Sequence, residues 1–268
     1  MQFSDLALSR RLEQAEGSAC AQFAEASRRI NPDRGSDSIE SAGVYAVFNG
    51  IDSPVTQTFG LGLSVDWNDS ALDTIERFFL DRGAPVFHEV SPFAGPEVLD
   101  LLCRRNYRPV EINNVLYRPV EPPQDTQLAA IHVRVIAQEE TQLWSDISAR
   151  GWSHEHPELR EFLSDFGPIV AASRKNRCFL ALYDDVPGAA GALSMHHGVA
   201  LFGGAATVPE MRRRGLQTAL LHERMRYAYE HECDIAMMVA LPGSDSQRNA
   251  ERKGFRIAYT RTKWKLFT

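Results

Sequence analysis

The feature that most constrains the fold is an order of elements that occurs twice. Residues 87–119, FHEVSPFAGPEVLDLLCRRNYRPVEINNVLYRP, read as strand, turn, short helix opened by Pro96, aromatic residue and extended strands. Residues 233–267, CDIAMMVALPGSDSQRNAERKGFRIAYTRTKWKLF, run the same way. Tyr107 falls where Phe255 falls, and Leu116 and Trp264 each follow nine residues later. A repeat of this size is a domain repeat, not a short-period solenoid. The 268 residues allow two domains of about 130 residues each. Segment 119–130, PVEPPQDTQLAA, has adjacent prolines and no apolar periodicity, which favours an extended spacer. The expected division is a domain over 1–120, a linker over 121–130 and a second domain over 131–268.

In the first half the apolar spacing predicts one or two helices over 4–29 and a helix over 70–82, capped by Asp69 or Ser70 and stopped by Gly83. A further helix is predicted over 96–105. Strands are predicted over 43–49, 54–63, 85–90 and 107–118. In the second half, helices are predicted over 138–150, 157–171, 214–231 and 244–253. Strands are predicted over 131–135, 178–183, 189–195, 198–208, 234–240, 255–260 and 262–267. Helices alternating with strands point to the α/β class.

Charge is unevenly divided. Residues 1–120 hold eleven basic and seventeen acidic side chains, whereas residues 121–268 hold eighteen of each. The net charge of −6 gives no basic nucleic-acid footprint. No apolar run is long enough to span a bilayer. The N-terminus lacks a basic start followed by an apolar run, so a cytoplasmic protein is expected, with no membrane and no nucleic-acid partner. Cys20, Cys103, Cys178 and Cys233 form no CxxC pair and read as small buried residues in a reducing compartment. The eight histidines show no metal-ligand spacing, and no metal is expected.

Chemistry concentrates in TVPEMRRRGLQTALL, residues 207–221. A β-prone stretch ends at Pro209, three arginines follow, and Gly215 precedes an amphipathic helix. Such a passage leaves backbone N–H groups unpaired at the helix start, where they and the helix dipole can hold a phosphate or pyrophosphate. Arg212, Arg213 and Arg214 would add charge at that point. A solvated arginine run before a surface helix would look the same. The segment matches neither the P-loop nor the dinucleotide fingerprint.

On these residues the second half resembles the GCN5-related N-acetyltransferase (GNAT) family, whose members bind acetyl-coenzyme A at a (Q/R)-x-x-G-x-(G/A) loop. Arg212 matches the first position and Gly215 the glycine, while Gln217 stands where Gly or Ala is usual. Residues 246–255, SQRNAERKGF, look like the family's fourth helix and its closing glycine–aromatic pair, and residues 205–208, AATV, like its splayed fourth strand. The resemblance implies tandem GNAT-like domains, each a mixed central sheet flanked by helices, the first a degenerate copy. It implies that Thr207, Val208, Arg212, Arg213, Arg214, Gly215, Leu216, Gln217, Thr218 and Asn249 bind acetyl-CoA as co-substrate. The first-half counterpart, FGLGLSVDWNDSAL, has no arginine cluster, and Asp66, Asp69 and Asp73 would repel the cofactor, so one competent site is expected.

In the family an amine attacks the thioester directly, a base takes its proton and a strand N–H steadies the oxyanion. The tyrosine that often protonates the thiolate is replaced here by Ala250. Candidates to act in its place are Ser246, which could equally cap its helix, and Tyr259, which could equally be core. His196, with His197, is a candidate base or a plain hairpin turn. Glu210, Tyr183 and Glu161 are further candidates. Trp152, His154 and His156 fall where the family's acceptor cleft is lined, or Trp152 is simply packing. The expected function is acetyl transfer to a small-molecule or protein amine by a monomer or homodimer. The alternative is a non-catalytic acetyl-CoA-binding regulatory or sensor protein.

Overall fold

A computed structural model describes residues 3–123, 130–153 and 160–267. His154 and His156, and part of the expected linker, lie outside them. The chain divides into two compact units, Met1–Arg118 with Met237–Thr268, and Pro119–Ala236.

The first unit opens with α1 (Leu6–Ile30), a single helix capped by the Asp5 carboxylate, which accepts from the Leu8 N–H at 2.8 Å. It buries Leu8, Leu12, Ala15 and Phe23 and contacts the strand β2 (Val44–Phe48), where Gly17 lets the Tyr45 ring come close. Before β2 lies β1 (Asp37–Ser41), a strand whose polar sequence gives no apolar alternation to read. Then come β3 (Gln57–Phe59), α2 (Asp69–Leu80), β4 (Phe87–Val90), α3 (Pro96–Arg104) and β5 (Tyr107–Pro119). Asn68 caps α2 in place of the expected Asp69 or Ser70: its Oδ1 accepts from the Ala71 N–H at 3.1 Å. Leu72, Ile75 and Phe79 of α2 and Leu102 of α3 are buried in one cluster with Val44, Leu61 and Val86.

The last stretch supplies α7 (Asp245–Arg252) and β11 (Arg256–Leu266) to this unit. The strand order is β1-β2-β3-β4-β11-β5. All neighbours are antiparallel except β3 and β4, so the sheet is mixed. The two stretches expected as strand pairs, 107–118 and 255–267, are each one continuous strand. Register shifts at Ile257/Tyr259 and Lys263/Trp264 let β11 follow β5 without breaking. Arg261 of β11, 2% exposed, lies between Glu13, Glu16 and Glu89 at 2.7–3.1 Å.

The second unit contains β6 (Ile131–Val135), α4 (Thr141–Ser153), α5 (Arg160–Ala172), β7 (Asn176–Tyr183), β8 (Val186–His196), β9 (Val199–Thr207) and α6 (Leu216–Glu230). Its strands run β6-β7-β8-β9, each antiparallel to the next. Trp144, Ile147, Ile169, Phe179, Leu193, Leu216 and Leu220 are buried. The strand β10 (Ile235–Ala240) crosses the boundary between the units. The architecture is α/β, a mixed sheet flanked by helices, as the sequence implies.

The cysteines depart from expectation. None of the four forms a disulfide, but only Cys178 and Cys233 are buried; Cys20 is half-buried and Cys103 exposed, because α3 turns Leu101 and Leu102 inward instead. Among the described residues no helix is long and apolar enough to cross a membrane, and no three His, Cys, Asp or Glu side chains converge as metal ligands.

Candidate active site

The arginine loop joins two elements of the second unit. β9 enters it with an irregularity: Ala190 faces Ala206, and Ala192 faces Gly203. Gly204 and Ala205 therefore both oppose Gly191, which is a β-bulge on β9. Gly204 has φ +61°, a conformation that glycine adopts without steric cost and that marks one bulge class. A side-chain carbon built on Gly203 or Gly204 meets nothing within 4 Å.

Beyond β9, a short turn over Pro209–Met211 leads to Arg212. Arg213 has φ +62° and Gly215 φ +88°, so the backbone reverses twice before α6 begins. Gly215 is the N-cap of α6, and no side chain caps the helix. The first-turn N–H groups, which have no acceptor within a helix, are thus presented beside three arginines.

The arginines divide their work. Arg212 is half-buried and folds back, Nε toward the Thr207 carbonyl at 3.5 Å and Nη2 toward the Gly151 carbonyl at 3.4 Å. Arg213 and Arg214 are exposed, and Arg214 lies over the Tyr183 ring at 4.9 Å. Glu210 is ion-paired with Arg150. Gln217 donates through Nε2 to Thr207 Oγ1 at 2.8 Å, tying the first turn of α6 to the end of β9. That bond gives a physical reason for glutamine at this position. Thr207, Val208 and Leu216 are buried, and Thr218 is half-buried.

The other candidates lie on other elements. His196 pairs with Val199 at the β8–β9 hairpin, four residues along β9 from Gly203, or about 13 Å at strand rise. It is 5% exposed, and its Nε2 is 3.1 Å from Ser194 Oγ. Burial, then Lys175 and His197, lower its pKa to about 4. Ser246, Asn249 and Tyr259 belong to the first unit. Ser244, not Ser246, caps α7, accepting from the Gln247 N–H at 3.2 Å. Asn249 is exposed, and its Oδ1 accepts from Arg252 at 3.0 Å. Ala250 is the buried residue of α7. The Tyr259 hydroxyl is buried and donates to Glu13 at 2.9 Å; burial, then Glu13, push its pKa well above 10. The structure thus brings together the loop residues 207–218 within one unit. Trp152 is half-buried at the end of α4.

One side chain at this site escapes a reading by motif. Arg224 of α6 is 2% exposed. Its Nη1 donates to the Ala192 carbonyl at 3.0 Å and the Gly203 carbonyl at 3.4 Å, and its Nε to Leu220 at 3.2 Å. Burial alone lowers its pKa to about 10. The available signal is spacing, since Arg224 interrupts the i, i+4 row of Leu216, Leu220 and Ala228 that α6 buries.

Residues 137–255 match the model of the acetyltransferase (GNAT) family. A comparison with curated protein sequences finds no match. Among solved structures, a GCN5-related N-acetyltransferase from Kribbella flavida is 18% identical with a TM-score of 0.65, covering 93% of this chain and 96% of that one. A tandem GNAT protein from the clavulanic acid biosynthesis pathway is 13% identical with a TM-score of 0.60, covering 98% and 96%. A GCN5-related N-acetyltransferase from Sphaerobacter thermophilus is 16% identical with a TM-score of 0.54, covering 86% and 75%. At these identities the likeness is one of fold. The chain therefore has the GNAT-family fold, and residues 137–255 are the part that matches the family model.

Proposed function

We propose that the chain transfers an acetyl group from acetyl-coenzyme A to an amine, either a small molecule or an amine on a protein. The carrying observation is the uncapped start of α6, entered through Gly215 and flanked by Arg213 and Arg214, directly after the bulged strand β9. Backbone donors and positive charge meet there without a carboxylate cap, which suits a pyrophosphate. In the reaction the amine nitrogen bonds to the thioester carbonyl carbon, the C–S bond breaks, the coenzyme A thiolate leaves and the ammonium proton passes to a base or to water. A β9 backbone N–H suits the developing oxyanion.

The helix α2 of the first unit stands in contrast. Asn68 caps it, Asp69 occupies its first turn, and Asp73 pairs with Arg105 at 2.5 Å. An anion would have to displace the cap and face those carboxylates. This supports a single competent loop, in residues 131–268, beside a degenerate first copy of the fold.

Replacing Gly215 with Glu would force a side chain into φ +88° and put a carboxylate at the helix start. Coenzyme A affinity, read by calorimetry, is expected to fall at least 100-fold, while the variant still unfolds cooperatively, at a midpoint lowered by backbone strain of about 1–3 kcal/mol. Tight binding by Gly215→Glu would sink the placement.

A second reading, an acetyl-CoA-binding regulatory protein without turnover, draws on Ala250 in place of the usual tyrosine and on the Tyr259 hydroxyl's bond to Glu13. Release of free thiol from acetyl-CoA across a library of amines separates the two.

A further inference from the structure

The GNAT core carries a buried cation that the acetyl-transfer reading does not use. We propose that Arg224 is a positioning residue: it holds the Gly203–Gly204 peptide of β9 from behind, so that the Gly204 N–H faces the carbonyl of a bound acyl thioester. The inference rests on the acetyl-transfer reading and deepens it.

A guanidinium at 2% exposure has lost nearly all its water. Such a charge costs several kcal/mol to bury unless it is paired and hydrogen-bonded. Among the described residues no carboxylate pairs with Arg224. Its acceptors are main-chain carbonyls instead: Ala192 and Gly203 across the bulge, and Leu220 one turn back. A methionine or leucine would fill the same i, i+4 row of α6 without that cost, so packing alone does not account for an arginine.

The geometry of the peptide unit gives the arginine a use. In a trans peptide the C=O and the following N–H point in opposite directions. The Gly203 carbonyl accepts from Arg224 Nη1, so the Gly204 N–H points away from the guanidinium. Gly204 lies in the part of the bulge that has two residues against one on β8, where ladder pairing is interrupted. Open space around Gly203 and Gly204 leaves room for a ligand at the main chain. Drawing electron density toward the cation through the carbonyl also makes that N–H a better donor.

The neighbouring residues fit the same purpose. A Cβ at Gly191, opposite the bulge, would lie 3.1 Å from Arg224 Cζ and Nη1, so the guanidinium would have to give by a few tenths of an ångström. The Gly191 carbonyl accepts from the Trp144 indole Nε1 at 3.3 Å, and the Phe179 carbonyl from the same nitrogen at 3.1 Å. The Phe202 ring lies 4.9 Å from the guanidinium carbon. Two side chains from two helices thus donate to carbonyls around the bulge.

The test uses the full chain with Arg224→Lys, Arg224→Gln and Gly191→Ala. The last leaves the arginine in place but presses on its guanidinium, by a few tenths of an ångström. Calorimetry reads coenzyme A and acetyl-CoA affinity, thiol release reads kcat and KM, and 15N-labelled wild-type protein reads the Gly204 amide resonance. Coenzyme A affinity is expected to stay within about threefold in all three variants. The kcat is expected to fall about 10- to 100-fold with KM little changed, the scale for misaiming a single oxyanion donor. Arg224→Lys should retain more activity than Arg224→Gln. In the wild type, the Gly204 amide should shift on adding acetyl-CoA and much less on adding coenzyme A. Folded variants with unchanged kcat, or a Gly204 amide that responds equally to both, overturn the proposal. If the two Arg224 variants lose cooperative unfolding, Gly191→Ala and the wild-type spectra decide it. A wild type that binds no coenzyme A removes the acetyl-transfer reading itself, which is a distinct result from binding with an indifferent Arg224.

Discussion

His88 is fully buried in the first unit between two hydroxyls, Thr58 Oγ1 at 2.8 Å from Nδ1 and the Tyr107 hydroxyl at 2.9 Å from Nε2. Burial lowers its pKa from 6.5 to about 3. The unfolded chain therefore takes up this proton first as pH falls. The stability this group confers is intact above about pH 6.5 and drains away toward pH 3. Between pH 7 and pH 5 the loss from this one group is about 2 kcal/mol. Urea denaturation at the two values should show that difference in the wild type and not in His88→Gln, whose baseline is lower. Glu13 works in the opposite sense: burial above all raises its pKa above 4.5, so its share of stability falls as pH rises from there. Neither environment was legible from residue type. A histidine after the apolar pair Val86–Phe87 reads as strand, and only the partners on β3 and β5 make it a neutral, satisfied core group. Tyr259 teaches the same lesson, because its hydroxyl bonds a glutamate 246 positions away.

At the scale of elements, periodicity carried most of the reading. The apolar stripes of α2 and α6 fall where the spacing puts them, and the start of α2 follows cap chemistry. Where that reading slipped, the cause is local. Asn68 outcompetes Asp69 as a cap because it sits one residue ahead of the first helical turn. The strand β1 is polar except for Ile39, which packs against the core cluster, and is held by its ladder to β2, a signal absent from its own sequence. Close approach of elements was equally hidden. At Gly151 a Cβ would lie 2.6 Å from Ala206 Cβ and 3.0 Å from the Thr207 nitrogen, where α4 meets β9. Helix propensity alone would make Gly151→Ala stabilising by about 1 kcal/mol. The steric term outweighs it here, so Gly151→Ala is expected to destabilise by about 1–3 kcal/mol. Thermal unfolding checks the sign, and a rise in Tm would show that α4 can retreat from the strand without loss.

Across the whole chain, the first and last elements are bound into one unit. Arg261 of β11 faces Glu13 and Glu16 of α1 and Glu89 of β4, and Lys263 lies 3.4 Å from Glu89. Removing the central cation leaves buried carboxylates that must take up protons or drag water inward. Arg261→Met is expected to cost about 3–5 kcal/mol. Measured denaturation midpoints should place this loss well above that of the exposed pair variant Arg248→Met, whose ion pair is worth about 0–1 kcal/mol. Equal losses would show that the buried cluster is dispensable. The sequence by itself determined the alternation of helices and strands, the repeated order in the two halves and the arginine loop before α6, because each is written in local spacing and turn chemistry. Only the tertiary structure decided that β11 inserts between β4 and β5, that Tyr259 and Arg261 serve the interior of the first unit, and that Arg224 backs the β9 bulge. Strand partners and buried charge pairs join residues far apart in the chain, and no local pattern records which of them meet.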